Sequence, residues 1–176
     1  MSAGWRRHRA LTLLELLVVI AIIALLATLL IPVSRRVAET GRATACISNL
    51  RQVGLGLAAY LTENNNTMPI LKTARELLSD QVPVIDNTLD KFVTTQAVFA
   101  CPADAKFAKA SGTSYVWNVT LNGQTLANLN FLGVVDEHSR IPILADKEGF
   151  HPYTKDKVNI LYADGHATKE LKFAGD

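Results

Sequence analysis

The sequence predicts an α+β protein in which a long N-terminal helix, membrane-spanning in its first half, packs by its second half on a small antiparallel β-sheet domain. Three observations predict it. Leu11 to Ile31 is an apolar run of membrane-spanning length. Beyond it, Cys46, Leu50, Val53 and Leu57 recur at i, i+4, i+7 and i+11, which lays one apolar stripe along a helix. The C-terminal part then holds short β-rich segments separated by turn residues.

A chain of 176 residues has room for one ordinary domain plus a segment outside its core. That segment is the N-terminal run, where Thr28 is the only non-apolar residue between Leu16 and Ile31. The formal charge of +2 is misleading, because Arg6, Arg7 and Arg9 all lie in the first ten residues. Setting those three aside leaves 15 of the 18 basic side chains against 16 acidic ones, and no Lys/Arg stripe for a nucleic acid. The only cysteines, Cys46 and Cys101, are too few and too far apart for a zinc site of the C-x-x-C kind.

The 21 residues from Leu11 to Ile31 extend about 31 Å as a helix, against a hydrocarbon thickness of about 30 Å. Basic residues precede the run and none follows until Arg35, which places the N-terminus in the cytoplasm and the rest of the chain outside. A secretory signal cleaved near Ala43-Thr44-Ala45, or a lipoprotein modified at Cys46, would need its cleavage site much closer to the apolar run. A plain anchor competes better. Against it stands Glu15, a carboxylate inside Leu11-Thr12-Leu13-Leu14-Glu15-Leu16-Leu17. Such a group costs about 2.5 to 3.5 kcal/mol at the centre of a spanning helix and less near its end, so it calls for a partner. Cleavage after Ala10 would supply one, since the new α-amino group of Leu11 lies near the membrane level of Glu15 in a neighbouring subunit.

Arg6-Arg7-His8-Arg9-Ala10 followed by Leu11-Thr12-Leu13-Leu14-Glu15 resembles the cleavage and methylation segment of type IV prepilins and type II secretion pseudopilins. In that family the acid is the fifth mature residue and a proline commonly the twenty-second; Glu15 and Pro32 occupy those positions counted from Leu11. The family usually has Gly before the cut and often Phe after it, where this chain has Ala10 and Leu11. The resemblance implies cutting by a membrane prepilin peptidase and N-methylation of Leu11. The expected organisation is a leader over 1–10, a transmembrane and polymerisation helix over 11–31, the extramembrane half of the helix over 32–63 and a globular domain over 64–176.

Pro32 removes one helical hydrogen bond and bends the helix without ending it. Arg35, Arg36, Glu39, Arg42 and Arg51 occupy the faces that the stripe leaves free, and Asn64-Asn65-Asn66 with Pro69 end a helix of about 50 residues. Gly54 and Gly56 each lower helix propensity by roughly 1 kcal/mol, which close approach of another element or local fraying would explain. Cys46 lies on the buried stripe and Cys101 follows the apolar Val98-Phe99-Ala100. In an oxidising compartment the two are expected to form a bridge closing about 55 residues, worth about 3 to 4 kcal/mol, the alternative being buried free thiols.

In the globular domain, Thr73-Ala74-Arg75-Glu76 reads as a capping box opening a short helix to Asp80. Strands are expected over 114–119, 141–145, 158–163 and 166–171, with Asp164-Gly165 as a two-residue hairpin turn between the last two. The tail from Val158 to His166 resembles the "H-X9-DG" segment of some bacterial pseudopilin-like proteins, as do the patches from Cys46, from Cys101-Pro102-Ala103-Asp104 and over Ser114-Tyr115-Val116-Trp117-Asn118. The spacing departs from it, with twelve residues between His151 and Asp164.

His138, His151 and His166 share this region with Asp136, Asp146, Asp156 and Asp164. They read first as turn and surface residues; Asp146 and Asp164 with backbone carbonyls could instead hold a structural calcium, and an acid/base pair is a third reading. No phosphate loop, H-E-x-x-H or G-x-S-x-G is present. The expected function is therefore a non-enzymatic one requiring no cofactor, and the resemblance implies a pseudopilin of a type II secretion system. It would sit in the bacterial inner membrane as a single-pass protein with a periplasmic domain, and polymerise with itself and other pseudopilins through the N-terminal helices. Its other partners would be the prepilin peptidase and the secretion assembly machinery. A type IV pilus subunit, for adhesion, motility or DNA uptake, is the rival within the class, and a membrane-anchored enzyme or binding module the rival outside it.

Overall fold

A computed structural model describes residues 13–135, 137–152 and 157–169. Helix α1 spans Leu13–Glu63, 51 residues, and runs through Pro32. The chain divides into two units between Ala38 and Glu39. In the first, the side chains of 13–31 are exposed apart from a half-buried Ala27, and Thr28 and Ser34 turn their hydroxyls back to the carbonyls of Leu25 and Ile31. Self-satisfied hydroxyls of this kind carry little penalty in an apolar medium. Among the described residues α1 is the one helix long and apolar enough to cross a membrane.

The second unit is built on the other half of α1. The predicted stripe is the buried face: Cys46, Leu50 and Val53 are fully buried and Leu57 is 2% exposed. Ala43, Ile47 and Leu61 widen it, while Arg42 pairs with Glu39 on the outer face and Arg51, exposed beside the stripe, donates to the Ala167 carbonyl. The helix stops where expected. Asn65 and Asn66 adopt φ of 53° and 54°, a left-handed geometry that asparagine tolerates, and the Asn64 amide donates to the Tyr60 carbonyl.

Strands β1 (Tyr115–Trp117), β4 (Pro142–Asp146), β5 (Ile160–Tyr162) and β6 (Ala167–Thr168) form an antiparallel sheet in the order β1-β4-β5-β6, while β2 (Asn130–Phe131) and β3 (Val134–Val135) form a separate hairpin. One core joins the helix stripe to the sheet and to Phe99, Leu121, Leu129 and Ile141. Gly54 and Gly56 are explained by close approach: a Cβ on Gly54 would meet Leu161 Cδ1 at 3.1 Å, and one on Gly56 would meet Val93 Cγ1 at 2.8 Å and the Phe92 carbonyl oxygen at 3.1 Å.

Two local expectations are corrected. Thr73 to Asp80 is not helical, because its polar groups serve tertiary partners: the Thr73 carbonyl accepts from Trp117 N, Leu78 N donates to Ala110 O, and Arg75 turns inward to Asp86 and the Ser111 carbonyl. The turn between β5 and β6 holds four residues, Ala163-Asp164-Gly165-His166, rather than two; among them only Gly165 has a positive φ, 87°, and its N–H closes back on the Tyr162 carbonyl. The other helices are short, α2 (Ile85–Thr88) and α3 (Phe107–Ser111).

Candidate functional site

Two places concentrate unusual chemistry. The first is the start of α1. Glu15 stands in the first turn and is exposed among leucines, and between it and Arg35 α1 carries no other ionisable side chain. The negative charge suits the positive end of the helix macrodipole. Ala10 and Leu11 lie outside the described residues, as does the leader; Pro32 lies within α1.

The second is a buried cluster in the unit from Glu39 onward. Cys46 reaches it from α1, Cys101 from the segment after the short helical turn Gln96–Phe99, Asp146 from the end of β4, and His151 from the loop that follows. Their exposures are 0, 2, 5 and 1%, and one donor atom from each falls within 4.8 Å of all the others. Cys46 Sγ is 3.4 Å from Asp146 Oδ1, Cys101 Sγ is 3.5 Å from His151 Nε2, and that nitrogen is 3.3 Å from Asp146 Oδ2. Both cysteines are free thiols in the structure.

Surrounding groups hold these four in place. The Tyr115 hydroxyl is 3.5 Å from Cys46 Sγ, the Asn159 N–H donates to Asp146 Oδ2 at 2.7 Å, and the Ala103 N–H bonds to the Cys101 sulfur. Ser114 Oγ accepts the Cys101 N–H and donates to Asp104. Electrostatics favour a negative sulfur beside a positive ring. The hydrogen bond from Cys46, working against burial, draws the Cys101 thiol down to about 6, and the same bond followed by burial pushes Cys46 up. Burial opposes a charged His151, but its bonds to Asp146 and Cys101 raise the ring to about 9. Tyr115 is pushed up by its burial and then by Cys46.

Other candidates go elsewhere. Asp164 Oδ1 accepts from His166 N at 3.0 Å and sits 2.5 Å from His166 Nδ1, and the His166 ring stacks on Tyr162 at 4.6 Å. His138 is half-buried in the turn His138–Arg140. Calcium takes oxygen ligands, whereas Asp146 faces two sulfurs and a ring nitrogen. The sequence named all four cluster residues but assigned them to separate readings. The one local signal joining any of them is Asp146 and His151, five apart on either side of a turn.

The N-terminal segment is where a comparison with known proteins succeeds. Residues 5–31 match the Prokaryotic N-terminal methylation motif. No curated protein and no solved structure matches the chain. The methylation motif covers the predicted cut site, Glu15 and the apolar run, and supports a type IV pilin-like subunit anchored in a membrane. It implies processing by prepilin peptidase and assembly with other pilins. The long helix, which begins inside the methylation motif, and the small antiparallel sheet domain after it make a pilin-like α+β arrangement.

Proposed function

We infer that the chain is a pseudopilin of a type II secretion system, a structural subunit cut between Ala10 and Leu11, methylated on Leu11 and polymerised through the first half of α1. The observation that carries this reading is one carboxylate, Glu15, in an otherwise apolar helical run inside the matched motif. An anchor alone has no use for that charge and its desolvation cost. In a filament the carboxylate can pair with the Leu11 amine of a neighbouring subunit, and methylation leaves that amine basic, so the pair sets a register that apolar packing lacks.

Mass spectrometry of the mature protein tests the processing. Loss of Met1 to Ala10 with gain of one methyl group is expected; a retained leader overturns the proposal. Glu15→Leu tests the assembly, since a plain anchor tolerates or gains from the change while a filament subunit stops assembling. Confinement to the envelope with secretion blocked on deletion supports the pseudopilin, and long surface fibres carrying the protein would show a type IV pilus subunit instead.

A further inference from the structure

We propose that Cys46, Cys101, Asp146 and His151 bind one zinc ion that ties α1 to the sheet. The site lies wholly within the unit from Glu39 onward and does not depend on what the N-terminal segment does.

The distances carry the proposal. Around tetrahedral zinc, with Zn–S about 2.3 Å and Zn–N or Zn–O about 2.0–2.1 Å, a sulfur lies about 3.5 Å from a nitrogen or oxygen ligand, and nitrogen about 3.3 Å from oxygen. Sulfur to oxygen is 3.4 Å here, sulfur to nitrogen 3.5 Å and nitrogen to oxygen 3.3 Å. Three of the six donor separations of a zinc shell are thus met, the sulfur–oxygen and nitrogen–oxygen ones at different oxygens of Asp146, and one donor atom from each of the four residues lies within 4.8 Å of all the others. Two sulfurs, an imidazole and a carboxylate suit zinc far better than calcium or magnesium, which take oxygen.

Burial points the same way. Side chains this reactive and polar are seldom buried together without a common partner. A disulfide would use only the two sulfurs and leave a buried carboxylate facing a buried imidazole. Zinc uses all four. On binding, the protons still held by the two sulfurs and the ring are released to solvent. Two thiolates and a carboxylate then outweigh the ion by one negative charge. The Tyr115 hydroxyl near Cys46, the Ala103 N–H on Cys101 and the Asn159 N–H on Asp146 are donors placed to offset that excess. With no ligand more than 5% exposed, the site closes its shell and leaves no position for a substrate, as structural zinc sites do.

The test uses the full chain, purified in detergent without chelator. About one zinc per chain is expected by elemental analysis, with neither cysteine alkylated in the folded protein and both alkylated after denaturation in chelator without reductant. His151→Gln and Asp146→Asn should each lower zinc occupancy at least about tenfold against a competing chelator, while His138→Gln and His166→Gln leave it unchanged. Should those ligand variants misfold, stripped wild-type protein reloaded with cobalt must still show thiolate-to-cobalt charge transfer and strong visible bands of four-coordinate cobalt. An intact mass short by two hydrogens, with thiols appearing only on reduction, would reveal a Cys46–Cys101 disulfide and overturn the proposal. Zinc retained in both ligand variants, absent cobalt bands, or a metal-free chain with two free thiols would overturn it equally.

Discussion

Alanine at three glycines of one helix should give effects of opposite sign, and the structure sets the magnitudes. Gly41, Gly54 and Gly56 all lie inside α1, where alanine is intrinsically better than glycine by about 1 kcal/mol. At Gly41 a new methyl group meets nothing within 4 Å. Gly41→Ala should therefore stabilise by the full amount, raising the urea midpoint by about 0.5 M at an m-value of about 2 kcal/mol/M. At Gly54 the methyl meets the end of the Leu161 side chain at 3.1 Å, which can shift by a few tenths of an ångström, so the gain is largely cancelled. Gly56 faces harder obstacles, a Val93 methyl at 2.8 Å on a stiff β-branched side chain and a backbone carbonyl at 3.1 Å. Overpacking of that kind costs about 1 to 3 kcal/mol, so Gly56→Ala should be destabilising by up to about 2 kcal/mol after the propensity gain. Urea unfolding followed by near-ultraviolet circular dichroism, which reports buried aromatic residues such as Trp117, measures all three. Equal stabilisation by Gly41→Ala and Gly56→Ala would refute the packing of α1 on the segment around Phe92.

The ion pair between Arg75 and Asp86 is almost completely buried, with 7% and 6% of the side chains exposed. Asp86→Ala should cost about 3 to 5 kcal/mol because it strands a buried guanidinium, and the double change Arg75→Met with Asp86→Leu should recover most of that in the same unfolding assay. Asp104 accepts the N–H groups of Lys106, Phe107 and Ala108 at the start of α3 and the hydroxyl of Ser114, so Asp104→Ala should cost about 1 to 2 kcal/mol near neutral pH. Burial works against its charge, but those four bonds hold the carboxyl below its ordinary value. The stability it adds is present above about pH 4 and fades as pH falls through the folded-state value, so wild type and variant should converge in stability in acid.

The amino-acid sequence by itself determined the features that depend on local pattern. Apolar length set off the exposed first half of α1, three-and-four spacing identified its buried face from Cys46 to Leu57, and the asparagine run with Pro69 marked its end. Glu15 stands out in sequence because a charge in an apolar run needs no neighbours to be noticed. Tertiary structure alone decided matters settled between distant segments. The capping-box letters at Thr73 to Glu76 yielded to Trp117, Ala110 and Asp86, because hydrogen bonds to those partners use the groups a short helix would have needed. Gly54 and Gly56 acquired a reason only once Leu161 and Phe92 lay against them. The four-residue cluster is the extreme case. Its donors come from positions 46, 101, 146 and 151, and only folding converts those separations into contacts of 3.3 to 3.5 Å. Sequence spacing reports neighbours on one helix or strand, whereas convergence of four segments on one point depends on how the helix meets the sheet.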